Sequence, residues 1–325
     1  MSGARGRWPL AALTLSALLV AERATGQPPA NSTEPESVAV HVPVASAPAP
    51  APPPTSGQLQ WDPDWPKFRP FGYGLMAASA SAAIAVTLLV TYPDDPRWEG
   101  PILFDGAIRD GLRARDPGVR DAIRLASDIT LAVGVINTVV LESLIVPLAA
   151  GSPEVAFQLQ LMDAQAFSLN ILIATLLFKA VARARPPQAD CALDPEFDPL
   201  CRTGSYASFP SSHTSTAFTA AGLSCVHHAY MPLYGGPWDA SACAGALALA
   251  TATGLFRIAG DRHYMTDVLM GAAIGLSLGY VYPWLFHYGE HLTTAPDERD
   301  AAQLRWGLVP GASETPYGLS VLGQF

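Results

Sequence analysis

The sequence predicts an all-α fold: a six-helix bundle, membrane-embedded, with a short irregular C-terminal tail. Three observations point there. Half of the 325 residues are hydrophobic and only 14% are charged, against about 25% charged in an average soluble chain. Six apolar segments follow one another, at roughly 71–92, 129–150, 155–178, 214–231, 240–256 and 268–288. They are apolar all round rather than striped, which marks buried or membrane helices. Tyr92, Trp98, Tyr230, Trp238, Trp284 and Tyr288 stand near their ends, as an interfacial aromatic belt requires. The net charge of −9 gives no support for a nucleic-acid partner.

Along the chain, residues 1–26 read as an export signal. Arg5 and Arg7 charge its start, residues 8–21 form an apolar run of fourteen, and Ala24 and Gly26 suit cleavage before Gln27. That run is short of the ~20 residues of a bilayer span. Residues 27–66 read as a disordered linker, whose Pro- and Ala-rich part, 27–57, cannot pack a core, while Trp61 and Trp65 mark the approach to the folded domain. The helical domain covers 67–292. Between its first two apolar segments lies a stretch of mixed charge, up to residue 128, with apolar residues at helical spacing. It reads as one or two amphipathic helices outside the apolar layer. In the tail, 293–325, two short alternating pieces suit a hairpin. Glu142 and Asp163 fall inside apolar runs and read as helix–helix pairing groups.

Cys191 and Cys201 flank a Pro- and Asp-containing loop. In an exported chain such a pair most simply forms a disulfide. Cys225 and Cys243 sit in apolar segments and read as inert core residues. No Cys/His spacing of a zinc site occurs, and no cofactor is expected.

Three polar clusters carry the chemistry. The third apolar segment ends in FKAVARARPP, with Lys179, Arg183, Arg185 and Pro186. The fourth begins with FPSSHTSTAF, with Pro210, Ser211, Ser212 and His213. The fifth and sixth are joined by FRIAGDRHYMTD, with Arg257, His263 and Asp267. In an up-and-down bundle these helix ends lie on one side. Two helix N-termini then aim N–H groups into one pocket. With one lysine and several arginines, that pocket suits a multiply charged oxyanion. His263 and Asp267 are one helical turn apart, so the carboxylate can orient the imidazole. Two histidines supply a nucleophile and a separate proton donor.

The three clusters resemble the signature of the type 2 phosphatidic acid phosphatase superfamily, which also holds the vanadium haloperoxidases. Its pattern is Lys-x6-Arg-Pro, Pro-Ser-Gly-His and Ser-Arg-x5-His-x3-Asp. Here Phe256 replaces the serine of the third part and Ser212 the glycine of the second. In the first part, Lys179 and Arg185 are separated by five residues, not six, which shifts helical phase by about 100°. Arg183 is the alternative cation. The resemblance implies that His263 attacks phosphorus, Asp267 orients it, and His213 protonates the leaving group. It assigns Lys179, Arg185 and Arg257 to the phosphate oxygens, and Ser211 with the Ser212 backbone to the oxyanion cradle. No metal is implied. His227, His228, His287 and His291 match nothing in the signature and read as structural.

The expectation is a metal-independent phosphatase acting on a phosphomonoester or pyrophosphate of a lipid, through a phosphohistidine, with membrane lipid as its surroundings. The alternatives are a vanadate-dependent haloperoxidase and an inactive envelope module. The chain is expected in the cell envelope with its site facing the exterior, the alternative being a soluble periplasmic bundle. One conflict stands: if the linker is exported and all six segments cross, the site ends up inside.

Overall fold

The structure, a computed structural model, describes residues 59–289 except 92, 94 and 203–205, together with the backbone of 305–310 and 319–324. The export-signal reading, the linker through residue 58, His291 and the rest of the tail lie outside the described residues.

Among the described residues, nine α-helices carry the bundle: α1 (Pro70–Leu89), α2 (Asp105–Leu112), α3 (Pro117–Ile136), α4 (Val146–Ala149), α5 (Pro153–Val181), α6 (Gln188–Cys191), α7 (Ser212–Tyr230), α8 (Pro237–Ala259) and α9 (Met265–Leu276). A π-helical segment, Asn137–Ile145, fuses α3 and α4 into one rod. The amphipathic stretch read from the sequence is therefore α2 plus the first turns of this rod. α1, α3, α5 and α8 each begin on a proline at their first helical position, where its missing N–H has no intrahelical partner to lose. Asp116 caps α3 by accepting from the Val119 N–H at 2.9 Å.

Cross-helix bonds set the directions. Phe68 bonds Gln158, Gly72 bonds Gln165 and Ser79 bonds Ser168. Both numbers rise together, so α1 and α5 run parallel. α7 and α8 run antiparallel, with Gly254 against Thr214 at one end and Cys225 joined to Cys243 towards the other. α9 runs parallel to α7. Gly271, Gly275 and Gly279 lie against Ser211–Ser215, Ser215–Thr219 and Thr219 of α7, and a Cβ at any of the three would strike α7 backbone. This small-residue stripe allows the close approach. The C-terminal ends of α1, α5 and α8 and the N-terminal ends of α3, α7 and α9 thus share one face of the bundle. Residues 59–69 lie at the opposite face, where Trp61 and Phe68 pack with Leu159, Met162, Val226 and Tyr288 in the main apolar core, which corrects the disordered-linker reading for 59–66.

Among the described residues, five helices are long and apolar enough to cross a membrane: Pro70–Leu89, Pro117–Ala149, Pro153–Val181, Pro237–Ala259 and Met265–Tyr288. Even in the most enclosed of their apolar windows, that of Pro153–Val181, only 39% is buried inside the protein. Phe71, Leu88, Leu89, Ile129, Ile136 and Phe286 are among the outward-facing side chains. An apolar exterior of this extent belongs in lipid, and the bundle is read as an integral membrane protein. α7 is not among the five; it is the inner helix, packed against α3, α5, α8 and α9.

Glu142 and Asp163 pair helices, facing His228 at 3.4 Å and His227 at 3.0 Å. The cysteine expectation is corrected in one respect. Cys225 and Cys243 are bonded to each other rather than separate core thiols, because the α7–α8 pairing brings their Cα atoms to 4.4 Å. Cys191 and Cys201 form a second disulfide, in the loop on the shared face. In the tail, β1 (Arg305–Pro310) and β2 (Leu319–Gln324) pair antiparallel, with Arg305 opposite Gln324.

Candidate active site

The shared face collects the three polar clusters. His263 lies in the short turn between α8 and α9 and is 1% exposed. Asp261, two residues earlier, has φ 58°, and this left-handed residue turns the chain back toward α9. Its carboxylate is gripped by Arg109 of α2 through Nε at 2.7 Å and Nη2 at 2.8 Å. The same guanidinium reaches Asp190 at 2.5 Å, beside the Cys191–Cys201 disulfide. One arginine therefore ties the histidine turn to the loop above it.

The Nδ1 of His263 bonds the backbone carbonyl of Ser208 at 2.7 Å. A carbonyl only accepts, so Nδ1 carries the proton and Nε2 carries the lone pair. Nε2 is buried and has no hydrogen-bond partner among the described residues. Burial lowers the His263 pKa well below the usual histidine value, and the positive charges of Arg185 and Arg257 lower it further. The ring is neutral, and its Nε2 lone pair lies in a pocket made positive by Arg185 and Arg257.

Asp267 was expected to touch His263 and does not. Its Oδ2 stands 3.9 Å from Nδ1. That carboxylate accepts instead from Ser208 Oγ at 2.7 Å, from the Tyr264 N–H at 2.9 Å and from Arg183 at 2.6 Å. It orients the imidazole indirectly, by fixing the residue whose carbonyl holds Nδ1.

The first cluster is reorganised. α5 stops at Val181 because Ala182 adopts a left-handed conformation, φ 44°. The helical-phase argument from Lys179 to Arg185 therefore does not apply, since only Lys179 is on the helix. Arg183 is fully buried and is not a phosphate ligand. It is sandwiched between Trp98 and Tyr264, at 4.0 and 4.2 Å, and bonds Asp267 and Asp105. Burial works to raise the Asp105 pKa, but the bonds from Arg183 and Thr266 outweigh it and hold the carboxyl below its usual range. Arg185 follows, its guanidinium donating to the carbonyls of Ala207 and Arg262, close enough to act on both His263 and His213. Lys179 stays half-buried in the last turn of α5.

In the second cluster, Ser211 is the N-cap of α7. Its buried Oγ accepts from the N–H and hydroxyl of Thr214, which makes this side chain the cap of the helix. Ser212 opens the helix, where first-turn N–H groups lack intrahelical acceptors. His213 projects Nε2 to Asp128 of α3 at 3.1 Å. Burial and the Arg257 charge lower its pKa to about 4, against the opposing pull of Asp128. Arg257 is 6% exposed. Its Nη1 makes one long contact, 3.4 Å to Asp128, and its Nε has no hydrogen-bond partner among the described residues.

Sequence reasoning missed Asp128, Ser208, Asp105, Asp261 and Arg109. Asp128 carried the only visible signal, a lone carboxylate at the edge of an apolar run. Among the described residues no group of three His, Cys, Asp or Glu side chains could hold a metal.

The family match falls on this same region. Residues 164–290 match the model of the PAP2 superfamily, and they contain all three motif clusters. Over 78 residues the chain is 37% identical to the lipid A 1-phosphatase of Porphyromonas gingivalis. That stretch is 24% of this chain and 16% of the relative. A solved structure of a transmembrane PAP2-type phosphatidylglycerolphosphate phosphatase from Bacillus subtilis aligns with 66% of this chain and 94% of its own, at 19% identity and a TM-score of 0.42.

Proposed function

We propose that this chain is a metal-independent lipid phosphate phosphatase working through a phosphohistidine on His263. One observation carries the reading. Among the described residues, His263 Nε2 and Arg257 Nε are buried polar atoms without partners, in a pocket that also holds Arg185. Leaving such atoms unmatched is costly, about 1–3 kcal/mol each, unless the pocket is organised for an anion.

The chemistry follows from the placement. Arg185, Arg257 and the first-turn N–H groups of α7 neutralise a phosphate. Lys179, half-buried near the end of α5, is the remaining cation assigned to it. His263 Nε2 attacks phosphorus, forming the P–N bond as the P–O ester bond breaks. His213, which takes up a proton when the bound phosphate raises its pKa, gives that proton to the departing alkoxide. It then takes one from water, whose oxygen attacks phosphorus and breaks the P–N bond, releasing phosphate. Asp128 holds His213 for both steps. The apolar exterior and the lipid phosphatase relative favour a lipid-borne phosphate. In the test, the purified chain in detergent hydrolyses p-nitrophenyl phosphate and takes up an acid-labile 32P label, and His263→Ala loses both. Full activity in that variant would refute the mechanism.

The reading puts the site on the outer face, where the Cys191–Cys201 disulfide meets an oxidising compartment. With α1 crossing parallel to α5, residues 59–69 then lie on the inner side. In sealed right-side-out vesicles, external protease should spare the 59–69 segment. Cleavage there would reverse the orientation.

A further inference from the structure

Two arginines hold the turn that carries His263, and each is also bound to the Cys191–Cys201 loop. Arg109 of α2 pairs with Asp261 at 2.7 Å and with Asp190 at 2.5 Å. Arg124 of α3 donates through Nε to the Gly260 carbonyl at 2.7 Å and through Nη2 to Asp198 at 2.5 Å. Arg113 adds a bond to Asp190 at 2.9 Å. Arg120 donates to the Phe197 carbonyl at 2.9 Å, with its guanidinium 4.6 Å from the Phe197 ring. The Asp261 and Asp198 side chains are fully buried, so each charge depends on its arginine. Residues 192–196 of the loop are exposed, Leu193 among them, so this loop gains little from apolar burial. Asp190 directly precedes Cys191, and Asp198 lies three residues before Cys201. The disulfide therefore ties the two carboxylates together across a sequence separation of 10, removing freedom that an open loop would regain.

We propose that the Cys191–Cys201 loop is a positioning element for His263. Closed by its disulfide, it holds Arg109 and Arg124 against Asp261 and Gly260; opened by a dithiol, it loosens the nucleophile's turn and slows the reaction. Reduction breaks the S–S bond with two electrons and two protons, giving two thiols, while the dithiol becomes its own disulfide. Both cysteines are half-buried, within such a reagent's reach. Asp190 and Asp198 are then free to separate, and Arg109 and Arg124 lose part of what fixes them. Gly260 and Asp261, three and two residues before His263, are held less firmly in turn. A displacement of about 1 Å at a reacting group costs on the order of 100-fold in rate, and a partial loosening should cost about tenfold.

The kinetic test rests on the phosphatase reading above. With the full chain in detergent, dithiothreitol should lower kcat for p-nitrophenyl phosphate about tenfold and leave KM within about twofold. Cys191→Ser/Cys201→Ser, which keeps the Cys225–Cys243 bond, should start at the lowered kcat and no longer respond to dithiothreitol. Asp190→Asn should lower kcat in the disulfide-closed chain and add little in the double serine variant, because both changes act through Arg109. Unchanged kcat after reduction of Cys191–Cys201, verified by thiol labelling, would overturn the proposal and leave the phosphatase reading standing. A rise in KM at constant kcat would do the same. Hydrogen exchange gives a readout that needs no turnover. In the double serine variant the amides of 260–264 should exchange about tenfold faster, with those of α7 unchanged. Equal exchange at 260–264 would overturn the proposal even in a chain that hydrolyses nothing.

Discussion

Asp267 governs His263 without touching it. The 3.9 Å between Oδ2 and Nδ1 is bridged by Ser208, which donates its hydroxyl to the carboxylate and lends its carbonyl to the imidazole. The carboxylate of the motif is thus a support for the backbone that holds the ring. It is also one end of a buried ion pair with Arg183, whose other partner is Asp105.

Ser208→Ala and Asp267→Asn should therefore differ. Ser208→Ala removes only the hydroxyl and keeps the carbonyl that accepts from Nδ1. It should lower kcat about tenfold with little change in KM, the mark of a loosened nucleophile. Asp267→Asn breaks the buried pair and leaves Arg183 undercompensated, which typically costs about 3–5 kcal/mol. Its melting temperature should fall by several degrees along with its activity. Equal melting curves for the two variants would contradict this division of roles.

Asp128 makes a separate prediction about the proton donor. It is the group bonded to His213 and opposes the charges that depress it. Asp128→Asn should lower hydrolysis of alkyl phosphates, whose alkoxide needs a proton, by about 100-fold. Hydrolysis of p-nitrophenyl phosphate, whose leaving group departs unaided, should change several-fold at most. A uniform loss on both substrates would show that Asp128 acts elsewhere, for instance on Arg257.

The pH behaviour has a defined sign. His213 and His263 have folded-state pKa values below the ordinary histidine value, about 4 for His213. An unfolded chain binds these protons below pH about 6.5, while the folded chain resists until lower pH. Their contribution to stability is thus complete above pH about 6.5 and lost as pH falls from there toward 4. Phosphate in the pocket adds negative charge beside both rings and raises their pKa values. Orthovanadate or phosphate binding at pH 6 should therefore take up protons, measured as a binding enthalpy that varies with the ionisation enthalpy of the buffer. A buffer-independent enthalpy would contradict the assignment. Adding bromide and peroxide to the vanadate-loaded chain tests the haloperoxidase alternative in the same preparation, with no bromide oxidation expected.

The helical segments, their apolar character, and the meeting of Lys179–Pro186, Pro210–His213 and Arg257–Asp267 at one end of a bundle are legible in the amino-acid order. Those are local properties, of composition, period and alternating direction, and a chain displays them without being folded. The two histidines were legible for the same reason, since their motifs are short. Tertiary structure alone decided what each polar group does. The left-handed Ala182 takes Arg183 off the helix and into an ion pair with partners 84 and 78 residues away. Asp128 reaches His213 across 85 residues, and Cys225 finds Cys243 only because α7 and α8 pack side by side. The parallel run of α1 and α5 likewise puts the linker end and the site on opposite faces. Charge pairing and helix direction depend on which distant surfaces come into contact, and that information resides in the packing, not in any single stretch of the chain.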